Sequence, residues 1–198
     1  MARTKAVADA SASRTGATNG VRPLLRAALA VSLDGYIADA KGGVDWLNPF
    51  FSPEIDFMGF AKSIGITICG RRTFDISMGQ AHSGGGRAVV LTHRPLRKQA
   101  PGLEAFSGDV RQLADRLRAE LAGAGKDIWL MGGGESIAPF HAAGLVDRWE
   151  LGIVPILLGE GIPLIPAHSR GHEPLRLTHG RTLKNGMIEA HYEPIRPH

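Results

Sequence analysis

"IWLMGGGESIAPF", residues Ile128 to Phe140, is the stretch whose reading decides the fold. Ile128, Trp129, Leu130 and Met131 form an apolar strand candidate that runs straight into Gly132, Gly133 and Gly134. Glu135 and Ser136 follow, and a helical stretch continues to a stop at Gly144. A strand that ends on bare backbone and hands over directly to a helix is half of a parallel α/β unit. Glycine allows close approach of the backbone to a ligand, because no Cβ stands in the way. The first N–H groups of the helix favour an anion there.

Working outward, the same alternation recurs. "LLRAALAV" (24–31) reads as a buried strand, and "DGYIA" (34–38) continues it after a turn at Asp34-Gly35. "KGGVDWLNPFF" (41–51) reads as a loop, and Ser52-Pro53-Glu54 as a helix start with a hydroxyl cap, running to about Ser63. "GITICG" (65–70) and "RAVVLT" (87–92) are strands, and "RRTFDIS" (71–77) opens a short helix. In "DVRQLADRLRAEL" (109–121), Val110, Leu113, Leu117 and Leu121 share one stripe behind an Asp cap. "RWELGIVPIL" (148–157) is a further strand. "PLRLTHGRTLKNGMIEAHYEP" (174–194) reads as a hairpin with a type I′ turn at Asn185-Gly186, Ile188, Ala190 and Tyr192 alternating on one face. The expected fold class is α/β: a mixed, mostly parallel sheet flanked by helices and closed by a C-terminal antiparallel hairpin.

A chain of 198 residues is one domain, with residues 22–198 as its body and residues 1–21 as an extension. The extension is built from Ala, Ser, Thr, Gly and Arg and has too few large apolar residues to fold, so disorder is expected. Arg3, Lys5, Arg14 and Arg22 against Asp9 give the first 22 residues +3 of the chain's +4. The body is therefore close to neutral, which argues against nucleic-acid binding. Cys69 is the single cysteine, so neither a disulfide framework nor a CxxC zinc site can form, and a reducing, cytoplasmic setting is expected. No apolar run reaches the ~20 residues of a membrane span.

Three strand ends could carry chemistry: Gly70-Arg71-Arg72-Thr73, Leu91-Thr92-His93-Arg94, and Gly132 to Ser136. Ligands of open α/β sheets bind outside the carboxyl ends of the strands. Two glycine-led helix starts with Arg71, Arg72, His93 and Arg94 nearby suit a ligand with several phosphates. The Rossmann fingerprint fails, because Ile137 stands where the third small residue belongs. There is no P-loop, no HExxH and no GxSxG. His168 and His172 lie four apart in a Gly/Pro-rich stretch and read as loop rather than metal ligands. "HSGGGR" (82–87) reads as a flexible loop.

The order of "AALAVSLDGYIA", "GGVDWL", "GRRTFD", "VVLTHRP", "DIWLMGGGESIAPFHAAGLVDRWELGIVPILLGEGIPLI" and the closing hairpin resembles the dihydrofolate-reductase-like superfamily. The closer resemblance is to its riboflavin-biosynthesis branch, the reductase domain of the bifunctional deaminase-reductase, over roughly residues 24–194. The resemblance implies an NADPH-dependent reductase, a homodimer with a small-molecule substrate. It implies backbone contacts to the nicotinamide amide from Ala28 and Ile37. It implies phosphate contacts from Gly70, Arg71, Arg72 and Thr73, and a hold on the adenosine 2′-phosphate from Leu91, Thr92, His93 and Arg94. Gly132, Gly133, Gly134, Glu135 and Ser136 would lie under the pyrophosphate. On the substrate side it implies Asp34, Trp46, Leu158 and Gly159, with Asp45 and Asp56 as the candidate catalytic acids. A folate-type reductase and a non-catalytic NADPH-binding protein are the alternatives.

Overall fold

A computed structural model describes residues 22–78, 86–96, 100–166 and 172–196. The expectations for residues 1–21 and His168, and most of the "HSGGGR" loop, lie outside these residues. Eight strands form one sheet: β1 (Leu25–Ser32), β3 (Ile64–Gly70), β4 (Arg87–Leu91), β5 (Leu103–Phe106), β6 (Asp127–Gly132), β7 (Arg148–Val154), β9 (Leu175–Thr182) and β10 (Ile188–Pro194). Their order is β5-β4-β3-β6-β1-β7-β10-β9. The first six run parallel. β10 is antiparallel to both β7 and β9. The mixed, mostly parallel sheet of the sequence analysis is thus the observed one.

Helices cover the two faces. On one lie α3 (Val110–Glu120) and α4 (Gly134–Ala142). Leu113, Leu117, Ile137 and Phe140 from these helices are fully buried against Leu25, Ile68, Ile128 and Leu130 of the sheet. On the other lies α1 (Phe57–Ser63), whose Phe60 meets Trp129 edge-on, ring centroids 5.2 Å apart. Asp109 caps α3 as expected, accepting from Arg111 N (2.7 Å) and Gln112 N (3.1 Å). Among the described residues no helix is long and apolar enough to cross a membrane.

Several local expectations are corrected. "DGYIA" does not extend β1; β2 (Tyr36–Ala38) leaves the sheet and pairs with β8 (Ile162–Pro163) in a separate two-stranded ribbon. The 41–51 loop contains a 3-10 helix, Asp45–Phe50. Ser52 does not cap α1; the cap is Asp56, which accepts from Gly59 N at 2.7 Å. The reason is tertiary: Glu54 accepts from Lys184 N (3.0 Å) through its side chain and from Arg181 Nη2 (2.7 Å) through its carbonyl, which ties the segment to the hairpin. β7 ends at Val154, before Pro155, and β5 had no sequence counterpart. The hairpin turn closes earlier than expected. Gly186 N donates to Leu183 O at 3.0 Å and Gly186 takes φ +86°, the three-residue pattern with a glycine bulge. Along β10, Ala190 is buried but Ile188 is exposed.

Candidate active site

Because β1, β3, β4 and β6 are parallel, their carboxyl ends share one rim of the sheet. Register levels them: Cys69 pairs with Gly132, and Gly70 with Leu91. The three strand ends expected to carry chemistry therefore lie side by side. β1 pairs with β6 only from Leu25 to Ala27; beyond that it pairs with β7 alone, while β6 continues beside β3 to Gly132. The sheet thus parts at Ala28, at the kind of crevice where open α/β sheets take ligands.

The glycine turn is tight because two pieces of chain press on it. A Cβ on Gly134 would sit 2.5 Å from Pro163 O, and one on Gly70 would run into Ser136 Oγ. Gly132 takes φ +108°, a conformation that side chains resist, and the Gly132–Gly133 peptide is cis. Gly133 caps α4 without any side-chain cap, so no side chain among the described residues occupies the first-turn N–H groups of Gly134 and Glu135. Ile37 is brought to the same turn, its Cδ1 3.6 Å from where a Gly133 Cβ would be. Glu135 is exposed in the first turn of α4.

The basic residues are arranged unequally. Gly70 caps α2 (Arg71–Thr73), which continues as a π-helical turn, Phe74–Met78. Arg71 is tied to Asp75 (2.9 Å) and to Pro95 O (3.1 Å), which links α2 to the turn after β4. Arg72 donates to Lys41 O and lies over Gly42, in the Asp39–Gly43 turn. Thr92 N donates to Phe106 O (2.9 Å), and Thr92 Oγ1 accepts from Arg94 N (3.1 Å), which shapes the turn. His93 Nδ1 is 2.7 Å from Ser107 Oγ. The Arg94 side chain is exposed and has no partner among the described residues.

Of the residues expected on the substrate side, Asp34, Leu158 and Gly159 meet. The Asp34 carboxylate accepts from Ser32 Oγ (2.6 Å), Leu158 N (3.0 Å) and Gly159 N (2.7 Å). With Leu33 N donating to Ile156 O and Leu164 N to Gly35 O, it stitches the β1–β2 turn to segment 155–164. The Ser32 hydroxyl foremost, helped by the N–H groups of Gly159 and Leu158, holds the carboxyl below its ordinary 3.8 against the opposing effect of desolvation. A depressed folded value means the contribution is complete above 3.8 and is lost as the pH falls through the folded value. The protein is therefore expected to lose stability as the pH falls below about 4, and Asp34→Asn to flatten that slope. Urea midpoints of both proteins across the range check it; identical slopes would assign the acid sensitivity elsewhere.

The remaining candidates divide. Asp45 is exposed at the first residue of the 3-10 helix, and Asp56 has its carboxylate engaged as the α1 cap. Trp46 packs against the cluster of Val154, Leu183 and Met187, as Ala30 does, and its Nε1 is buried without a hydrogen-bond partner among the described residues. Ala28 sits where the sheet parts, and its carbonyl accepts from Trp129 Nε1 at 2.9 Å. Trp129 is the residue that sequence reasoning passed over. Alternation along β6 already turns it, like Met131, away from the face of Ile128 and Leu130. No cluster of three or more potential metal ligands occurs among the described residues.

Residues 23–188 match the family model described as the RibD C-terminal domain. An uncharacterized Bacillus subtilis protein, YyaP, is 32% identical over 182 residues, covering 83% of this chain and 91% of its own. Among solved structures, the diaminohydroxyphosphoribosylaminopyrimidine deaminase/5-amino-6-(5-phosphoribosylamino)uracil reductase of Thermotoga maritima superposes with TM-score 0.67 at 14% identity. That match covers 88% of this chain and 57% of that one. The dihydrofolate reductase of Enterococcus faecalis, complexed with NADP(H), superposes with TM-score 0.60 at 18% identity, covering 89% and 99%. At such identities the likeness to the solved structures is one of fold.

Proposed function

Since the chain belongs to the RibD C-terminal domain family, a riboflavin-pathway reductase family, we propose that it is an NADPH-dependent reductase of a heterocyclic or sugar-imine substrate. The observation that carries this is the shared rim, on which Gly70–Thr73, Leu91–Arg94 and Gly132–Ser136 stand level with one another. The residues fit a dinucleotide: the first turn of α4 offers N–H groups that no side chain among the described residues caps, and it stands on the same rim as the α2 start. NADPH, when bound, supplies the hydride that reduces an electrophilic C=N or sugar C1 carbon. Gly132, Gly133, Gly134 and Ser136 are assigned to the pyrophosphate, and Arg71, Arg72 and Thr73 to its flank. Glu135 opposes an anion by its charge and is assigned through its backbone N–H only.

Ala28 and Ile37 are assigned to orienting the nicotinamide amide. A carbonyl has two lone pairs, so the Trp129 bond leaves Ala28 O one free. Asp34, through Leu158 and Gly159, holds segment 155–164 over the rim and helps exclude water. Of the two candidate acids, Asp45 is the one whose carboxylate carries no capping duty, and water is the other proton source. By family resemblance we also propose a homodimer, which sedimentation velocity would test.

Calorimetry of the whole chain with NADPH and with NADH is the direct test. Saturable NADPH binding, tighter than NADH by at least about tenfold, is expected from the charge-assisted contacts a 2′-phosphate adds. No association with either dinucleotide would remove this reading altogether. Binding without turnover of any heterocycle would leave a non-catalytic NADPH-binding protein.

A further inference from the structure

The C-terminal hairpin sets two histidines against each other. His179 of β9 and His191 of β10 are direct partners in the antiparallel ladder, so both side chains leave the same face of the sheet. Their ring centroids are 4.9 Å apart and the rings are tilted by 44°. A metal–nitrogen bond of ~2.0–2.1 Å puts an imidazole centroid about 3.2 Å from the ion, so two rings roughly 90–110° apart on one ion have centroids roughly 4.5–5.2 Å apart. The observed separation falls inside that interval. β9 is the last strand of the sheet, paired with β10 alone, and every residue in it is exposed. Water therefore reaches the pair and can fill the positions that two protein ligands leave.

Each ring must also offer a bare nitrogen. His191 Nε2 lies 3.2 Å from Glu189 Oε1, and a carboxylate only accepts, so the proton sits on Nε2 and Nδ1 carries the open lone pair. Metal-binding histidines are oriented in this way, by a carboxylate on the other ring nitrogen. Burial foremost holds the His191 pKa below its ordinary 6.5, against the pull of Glu150 and Glu189, so the ring is neutral near pH 7, the state that ligates. His179 is exposed, and neither of its nitrogens has a hydrogen-bond partner among the described residues, so it can turn either one to the ion. The cations nearby are already matched. Arg181 is bonded to Glu189 at 2.7 Å, Arg26 to both oxygens of Glu150, and Arg148 to Glu193 at 2.7 Å.

We propose that His179 and His191 form a two-imidazole site for a borderline first-row divalent cation of the zinc or copper type, with water as the remaining ligands. Imidazole favours such ions over Mg²⁺ and Ca²⁺, which take oxygen ligands. The ion ties the edge strand to its neighbour. The hairpin in turn holds the segment before α1, since Arg181 Nη2 donates to Glu54 O (2.7 Å) and Lys184 N to the Glu54 carboxylate (3.0 Å). Occupancy thus braces the hairpin and that segment together.

Zn²⁺ alone, titrated calorimetrically into the whole chain near neutral pH, is expected to bind saturably, and Mg²⁺ not to bind. His179→Ala removes an exposed ring, so the fold should persist, and it is expected to weaken Zn²⁺ by at least about tenfold. His191→Ala is expected to match it. His172→Ala removes an exposed histidine outside the pair and is expected to leave the affinity unchanged. Zn²⁺ should raise the melting temperature of the native chain and not that of His179→Ala. Absence of Zn²⁺ binding, an affinity unaltered in either variant of the pair, an equal loss in His172→Ala, or Mg²⁺ binding as tight as that of Zn²⁺ would overturn the proposal.

Discussion

Asp147→Ala is expected to lower the unfolding free energy by about 3–5 kcal/mol, the cost of leaving a buried charge without its partner. Asp147 is 9% exposed, at the amino end of β7, on the rim opposite the candidate active site. Its Oδ2 accepts from Leu25 N and from Arg118 Nη2, both at 2.9 Å, and its Oδ1 accepts from Arg196 Nη2 at 2.9 Å and from Arg22. One carboxylate thus joins the start of β1, helix α3 and the segment after β10. The three guanidiniums are not equivalent. Arg22 and Arg196 are about half exposed and would simply resolvate. The Arg118 side chain is 9% exposed, and among the described residues its Nε has no partner and without Asp147 it would retain only the Leu145 carbonyl at 3.2 Å. Arg196→Gln is accordingly expected to change stability by less than about 1 kcal/mol. Urea denaturation of both variants distinguishes them, and melting should fall by roughly 10 °C for Asp147→Ala alone. Equal effects from the two substitutions would mean that the exposed pairs, not Arg118, carry the stabilisation.

What was legible in the sequence is what is local. The Asp109 cap, the Leu113–Leu117 stripe and the glycine turn after β6 depend on neighbours within a few residues, and each stands where expected. Ser52 shows the limit. Ser-Pro-Glu is a sound helix start by local rules, yet Ser52 Oγ accepts from Glu54 N (3.2 Å) in a turn, and the helix waits for Asp56. The deciding bonds come from Arg181 and Lys184, some 130 positions away. The same distance hid the second role of Asp34. An Asp-Gly turn explains the residue locally, and nothing nearby shows that its carboxylate would gather Leu158 and Gly159. β2 was read as more of β1 because the apolar pattern resumes after the turn, but pattern does not say which strand is the partner. The rim positions of the coenzyme candidates were legible because parallel connectivity forces strand ends to one side. The contact of Trp129 with Phe57 and Phe60 was not, since it forms only once α1 is docked.

The double variant His93→Ala/Arg94→Ala is expected to weaken NADPH by about 10²- to 10⁴-fold and to leave NADH within about threefold. Charge-assisted hydrogen bonds lost from a phosphate are worth about 1.5–3 kcal/mol each, and each 1.4 kcal/mol is roughly tenfold. Of the four basic candidates these two can be removed most cleanly. Arg71 is bonded to Asp75 and Pro95 O, and Arg72 to Lys41 O, so their loss would disturb α2 and the Asp39–Gly43 turn as well as any ligand. Arg94 has an exposed guanidinium with no partner among the described residues, and the turn that carries it is shaped by Thr92 and the Thr92–Phe106 bond, which the substitutions leave in place. His93 gives up only its Ser107 contact. The ratio of the two affinities is what separates the explanations. If NADPH and NADH weaken together, the turn contacts the pyrophosphate that both share and not the 2′-phosphate. If neither changes, Leu91–Arg94 lies outside the coenzyme path, and the third of the three strand ends must be withdrawn from the rim. Only a selective loss of NADPH, with melting unchanged, places a phosphate monoester against Arg94.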